Sequence, residues 1–165
     1  MPPVVVEADL RSDVDSADIL RLVNMYALDP MGGGKELPAH VRFNLIAGLR
    51  THPTTRVFLA ECEGRRVGIA VCFLGFSTFA AKPLLNIHDL AVDPDFRGRG
   101  IGKLLLRAAE EKARALGCCK LTLEVLHGNS TARQAYASFG FQPGPDDPEN
   151  RGMFFLTKPL PASSL

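Results

Sequence analysis

Hydrophobic positions along the 165 residues change period several times, and each change marks an element. Val4-Val5-Val6-Glu7-Ala8 is short and β-branched, which predicts a strand. Ile19, Leu20, Leu22, Val23 and Ala27 then recur at helical spacing, with Asp15 or Ser16 as the expected cap. Asp29-Pro30-Met31-Gly32-Gly33-Gly34 ends that helix, because proline blocks continuation and three glycines leave a pliable loop. A second helix carries Val41, Leu45, Ile46 and Leu49 on one face. Arg56–Cys62 and Arg65–Phe76 predict two strands joined by a hairpin turn at Glu63-Gly64.

Leu84–Val92 predicts the next strand, and Gly100–Leu116 a helix with Ile101, Leu104, Leu105, Ala108 and Leu116 inward. Glu110 and Arg114 sit at i,i+4 on its outer face, and Gly117 is its expected stop. Lys120–Leu126 alternates as a strand, and Ser130–Phe139 is a short helix ended by Gly140. Phe141–Gln142 and Gly152–Thr157 are the expected last strands. The order is β-α-α-β-β-β-α-β-α-β-β. Antiparallel strands followed by a βαβ crossover imply one mixed sheet with helices on its faces. Residues 1–165 are expected to form one domain, with 159–165 as a frayed tail.

Composition narrows the setting. Hydrophobic residues make up 46% and charged residues 22%, and the net charge is +1, so no basic footprint for nucleic acid is present. The longest apolar run, Val67–Phe76, is far short of the about 20 residues that span a bilayer, so no membrane segment is expected. The N-terminal stretch lacks a basic segment followed by a long apolar one, so no signal peptide is expected. Cys62 and Cys72 lie in apolar strands, while Cys118 and Cys119 are adjacent, which is neither redox-pair nor zinc spacing. The histidines show no ligand spacing, so no metal is expected. A cytoplasmic protein follows.

The chemistry concentrates after the Leu84–Val92 strand. Arg97-Gly98-Arg99-Gly100-Ile101-Gly102-Lys103 turns from a strand into a helix. Free N–H groups at a helix start carry partial positive charge, and glycines let a ligand approach that backbone. Three cations complete a site for a phosphate or pyrophosphate. The spacing fits neither a Walker A loop nor the G-x-G-x-x-G of dinucleotide folds.

Arg97–Gly102 resembles the Arg/Gln-x-x-Gly-x-Gly/Ala signature of the GNAT superfamily, the acetyl-CoA-dependent N-acetyltransferases. Ile87-His88-Asp89-Leu90-Ala91-Val92 is similar to that family's fourth strand. Asn129, Ala132, Ala135-Tyr136 and Phe139-Gly140-Phe141 resemble its Asn-x-x-Ala…Tyr-x-x-x-Gly-Phe segment. The resemblance implies an α/β (α+β) fold: a mixed, mostly antiparallel sheet with a β-α-β cofactor crossover and helices on both faces. It also implies that Arg97, Gly98, Arg99, Gly100, Ile101, Gly102 and Lys103 hold the pyrophosphate of coenzyme A, largely through backbone N–H. Leu90, Ala91 and Val92 would flank the pantetheine arm where the sheet splays from Lys120–Leu126. Asn129 would bond that arm, and Tyr136 would lie near the thioester sulfur.

Acetyl transfer to an amine needs a neutral nucleophile. About one lysine-like amine in 2,500 is neutral at pH 7, a handicap near 4.6 kcal/mol. His88, Asp89 or a water chain must therefore take a proton, with Asp89 also a candidate for a structural hydrogen bond. Tyr136 suits a proton donor to the leaving thiolate, and a backbone N–H near Val92 suits an oxyanion. Alternation puts Asn86, His88, Leu90 and Val92 on one strand face, with Ile87, Asp89 and Ala91 on the other. The acceptor side draws on Tyr26, Asp29, Glu36, His40 and Asn86, with Phe76, Ser77 and Phe79 as an opposing wall. The expected partner is a small-molecule amine or peptide, bound by a homodimer, and transfer is direct within a ternary complex. The alternative is a non-catalytic acyl-CoA-binding sensor of the same fold.

Overall fold

The computed structural model describes residues 1–143 and 153–161. Its elements are β1 (Val4–Glu7), α1 (Asp13–Leu28), α2 (Ala39–Thr51), β2 (Thr55–Cys62), β3 (Arg65–Ser77), β4 (Lys82–Val92), α3 (Ile101–Ala115), β5 (Lys120–Leu126), α4 (Ser130–Phe139), β6 (Gln142–Pro143) and β7 (Met153–Pro159). They follow the predicted order. One seven-stranded sheet runs β1-β2-β3-β4-β5-β7-β6. Only β4 and β5 are parallel neighbours, and α3 is the crossover between them.

Several boundaries move for local reasons. Ser12, not Asp15 or Ser16, caps α1: its Oγ accepts the Asp15 N–H at 3.2 Å. The β3–β4 hairpin extends past the predicted ends, with Ser77 opposite Lys82. The inward face of α3 is Ile101, Leu105, Leu106, Ala109 and Ala113, while Leu104 and Ala108 flank it half-buried. Its last turn ends at Ala115, so Leu116 only flanks the core. The last strand reaches Pro159, and buried Leu160 donates its N–H to Cys119 O at 2.8 Å. The expected tail therefore does not begin at Pro159. Gly152 and residues 162–165 lie outside the described residues.

Two cores sandwich the sheet. On one face α3 and α4 cover Ala70, Cys72, Leu85, Ile87, Leu121 and Leu123. On the other, α1 and α2 cover Val57, Leu59, Ile69, Val71 and Ala91. Full burial of each Val, Leu or Ile among them contributes roughly 1.5–3 kcal/mol. Lys158 ties β7 to α3 and α4, donating to Glu110 Oε2 at 2.7 Å and Phe139 O at 2.8 Å. Burial alone would raise the Glu110 carboxyl, but the hydrogen bonds from Lys158 and Arg114 outweigh it and hold it below its usual range.

Two irregularities in β4 shape the centre of the sheet. Its pairing with β5 covers only Leu85–Leu121, Asn86–Thr122 and Ile87–Leu123. Beyond that the strands run on to Val92 and Leu126 without pairing to each other. Opposite Val71 and Cys72, β4 carries a bulge: Val71 faces Asp89 and Cys72 faces Ile87, so His88 is the extra residue. The bulge resets the alternation. Ile87 shares the α3 face with Leu90 and Val92, while Ala91 packs toward α1. The face assignment expected from strict alternation therefore fails across His88.

Candidate active site

The loop after β4 is built to receive an anion. A 3-10 turn at Pro94–Phe96 is capped by Asp93, whose side chain accepts the Asp95 N–H at 3.0 Å. Gly98 and Gly100 follow at φ +76 and +77, left-handed conformations that side chains rarely adopt. Such alternation gathers successive N–H groups around an anion. Gly100 is also the N-cap of α3 and supplies no side chain, so the first N–H groups of that helix stay open. No atom stands within 4 Å of where a Cβ would project from Gly98 or Gly100.

The four nearby cations divide. Lys103 and Arg107 are exposed, lie one turn apart on α3, and have no ion pair among the described residues. Arg99 turns to the β2–β3 hairpin, bonding Glu63 at 2.8 Å and lying over the Phe96 ring at 4.8 Å. Arg97 turns the opposite way. Its Nε donates to Val92 O at 3.0 Å and its Nη2 to Asp29 Oδ2 at 2.7 Å. The loop thus offers backbone and Lys103, with both arginine side chains already engaged.

Where β4 parts from β5, the β5-facing backbone edge of β4 beyond Ile87 lacks a strand partner. A buried strand edge needs one, so the gap suits an extended chain with amide groups. Leu90 and Val92 pack on its α3 side. Asn129 lies in the turn between β5 and α4, and its Oδ1 is used as the α4 cap, accepting the Ala132 N–H at 3.2 Å. Tyr136 comes from α4 and meets Phe141 edge-on at 5.9 Å. Burial, with Tyr26 near, pushes its phenol up to about 12. Tyr26 belongs to α1, on the opposite sheet face. The two phenols sense each other across the gap.

Tyr26 is itself raised by burial, then by Asp89 and Asp29. Burial raises the Asp89 carboxyl as well, against the pull of His88. The Asp89 side chain makes no hydrogen bond or ion pair among the described residues, contrary to a structural role. His88 is exposed and packs edge-on to Phe73 at 5.6 Å. Asp29 is not free for a cationic ligand: the Arg97 hydrogen bond and the Met31 N–H hold its carboxyl below its usual range. Glu36 braces its own loop through Asn24 and Arg42. Asn86 donates to Thr122 Oγ1 at 3.0 Å, at the last paired rungs before the gap. Phe76 pairs with Pro83, about 17 Å along the strand from His88 at 3.3 Å per residue, so it forms no wall here.

Other residues join the acceptor side without having been foreseen. Glu124 on β5 is exposed, has no ion pair among the described residues, and faces exposed Phe155 across the β5–β7 ladder. Strand alternation alone would have shown that Glu124 lies opposite Leu123 and Val125. A groove of about 520 Å³ adjoins Phe73, lined by His40, Asn44, Leu45, Gly48 and His52. His52 packs edge-on to Phe73 at 5.0 Å, so His52, Phe73 and His88 form one aromatic row. No group of three or more His, Cys, Asp or Glu suited to a metal occurs among the described residues.

The sequence model of the acetyltransferase (GNAT) family matches residues 19–141, which spans β4, the glycine loop and α4. The chain belongs to this family. An uncharacterized N-acetyltransferase of Methanocaldococcus jannaschii is 37% identical over 86 residues, covering 52% of this chain and 38% of that protein. The glucosamine 6-phosphate N-acetyltransferase of Trypanosoma brucei brucei is 29% identical over 141 residues, covering 84% of this chain and 91% of its own. The chain spans about half the length of curated GNAT relatives such as those of M. jannaschii, Bacillus subtilis and Archaeoglobus fulgidus. A chain of the NatC complex, solved with Gag peptide and CoA, superposes with a TM-score of 0.74 at 24% identity, covering 98% of this chain and 100% of that one. This last likeness establishes the fold.

Proposed function

We propose that the protein transfers the acetyl group of acetyl-CoA directly to a primary amine of a small molecule or peptide. The observation that carries this is the pairing of an anion-binding glycine loop with an unpaired β4 edge, ending at a half-buried tyrosine. A cofactor with a pyrophosphate and an amide-bearing arm fits all three. GNAT membership supports it, as do the T. brucei relative, named for an amino-sugar acceptor, and the NatC structure, which holds peptide and CoA.

Residues of the chain take the following parts. Backbone N–H groups from Gly98 to Lys103, with the Lys103 charge, hold the pyrophosphate. The open edge between His88 and Val92 binds the arm and supplies the donor for a developing oxyanion. When bound, acetyl-CoA supplies an activated thioester. Tyr136 keeps its proton throughout the physiological range, so its O–H donates to the departing sulfur and cannot act as a base. Asp89 takes the amine proton. A half-buried carboxyl raised by burial is a stronger base than a surface one, and no described group competes for it. His88 lies beside it on the exposed side, and Glu124 draws the ammonium form of the acceptor over the sheet. Asn129 caps α4 and so holds Tyr136 in place. The four cysteines without disulfides support a cytoplasmic setting, and exposed Val4 and Val6 on edge strand β1 support a homodimer.

The test is thiol release from acetyl-CoA across a panel of polyamines, amino sugars, aryl-alkyl amines and peptide N-termini. Amine-dependent release is expected. Tight acetyl-CoA binding with no stimulation by any amine would favour the non-catalytic acyl-CoA sensor. No binding at micromolar levels would remove both.

A further inference from the structure

The first residue of the glycine signature does not face the glycine cradle. Arg97 Nε is bonded to Val92 O at the end of β4, and Nη2 reaches Asp29 Oδ2 at 2.7 Å across 68 residues of sequence. Asp29 is the hub of the α1–α2 loop. Its Oδ1 accepts the Met31 N–H at 2.9 Å, and its carbonyl accepts Gly32 N–H at 2.8 Å and Gly34 N–H at 3.0 Å. Its own N–H closes α1 on Tyr26 O. The loop is pressed onto that helix end so closely that a Cβ at Gly32 would stand 1.9 Å from Tyr26 O. Lys35 N–H returns to Ala27 O at 3.1 Å. One guanidinium therefore joins the end of the cofactor strand to a loop anchored on the helix end that carries Tyr26, and Tyr26 packs on the same sheet face as Ala91 of β4.

We propose that the Arg97 side chain is a positioning residue for the acceptor side of the site, clamping the Asp29–Lys35 loop to the end of β4, and that it is not a pyrophosphate ligand. This rests on the acetyl-transfer function proposed above. Nε and Nη2 are taken by Val92 O and Asp29 Oδ2, so turning the guanidinium into the glycine cradle would break both hydrogen bonds. The backbone supplies the anion contacts there, while the side chain sets where the acceptor loop stands.

Three measurements on Arg97→Gln, Arg97→Lys, Asp29→Asn and the double variant Arg97→Gln/Asp29→Asn test it. They are amide exchange over residues 29–37, acetyl-CoA affinity by calorimetry, and the KM of any amine that supports thiol release. Arg97→Gln and Asp29→Asn are each expected to speed loop exchange about fivefold, with the double variant no worse than either. Arg97→Lys keeps the charge and restores part of the protection. Acetyl-CoA affinity stays at the wild-type level in Arg97→Gln, while the amine KM rises about fivefold with kcat less affected. An acetyl-CoA affinity lowered about tenfold by Arg97→Gln would make the side chain a phosphate ligand and overturn the proposal. Additive effects of the two single variants on loop exchange would overturn it too. Wild-type protein that fails to bind acetyl-CoA removes the proposed function and the inference built on it. Unchanged binding with an unchanged loop removes only the inference.

Discussion

The two halves of the site are built from different materials. The cofactor half uses backbone: left-handed Gly98 and Gly100, the open start of α3, and the unpaired edge of β4. The acceptor half uses side chains from α1, the α1–α2 loop, β3, β4, β5 and β7, which lie far apart in sequence. A backbone site needs residues that permit a conformation, so it leaves a short local pattern. A side-chain site needs only that distant positions meet, and any soluble chemistry can occupy them. Glycine spacing therefore announces the first half, while nothing local announces the second.

That contrast can be broken from either side. The largest effect is expected from Gly100→Val. A β-branched residue at φ +77 is strained, and its side chain fills the space above the loop. Acetyl-CoA affinity should fall about 100-fold in a protein that still melts cooperatively, measured by calorimetry. Unchanged affinity would remove the anion assignment. Asp89→Asn comes next, with kcat/KM lowered about 100-fold. Because burial raises the Asp89 carboxyl, the basic form appears only as pH climbs above the ordinary carboxylate range. Wild-type kcat/KM should thus rise with pH along that limb, and Asp89→Asn should flatten it. A limb that vanishes in His88→Gln instead would transfer the base to His88.

Tyr136→Phe should lower kcat about 30-fold while leaving acetyl-CoA affinity nearly unchanged. Equal loss in both would make Tyr136 a packing residue of α4. The smallest effect is expected at Glu124→Gln: the KM of a cationic amine should rise about fivefold, with acetyl-CoA affinity unaffected. A lower acetyl-CoA affinity in that variant would place Glu124 on the cofactor side and blur the division.

Particular residues show where the sequence was legible. The element order, the βαβ crossover and the Gly98–Gly102 turn follow from period and glycine spacing, and the structure keeps them. The bulge at His88 shows in the sequence only as the three-residue step from Ile87 to Leu90, which strict alternation does not accommodate; it shifts which face each later residue occupies. Its place at the end of the third strand makes Phe76 a candidate wall residue, but register against Pro83 carries it away from the site. Asp29 and Arg97 each looked like a ligand for an opposite charge. Folding gives them to each other, and their separation in sequence hides it. Glu124 was passed over because one acid on an alternating strand carries no signal until the uncovered sheet face beside Phe155 is seen.

A crystal structure with a CoA-linked bisubstrate analogue tests the central claim most directly. The pyrophosphate should rest on the N–H groups of Gly98–Lys103, the arm on the β4 edge beyond Ile87, and the acceptor nitrogen beside Asp89, with Tyr136 toward the sulfur. A CoA arm bound outside the gap between β4 and β5, or an acceptor nitrogen far from both His88 and Asp89, would contradict the account.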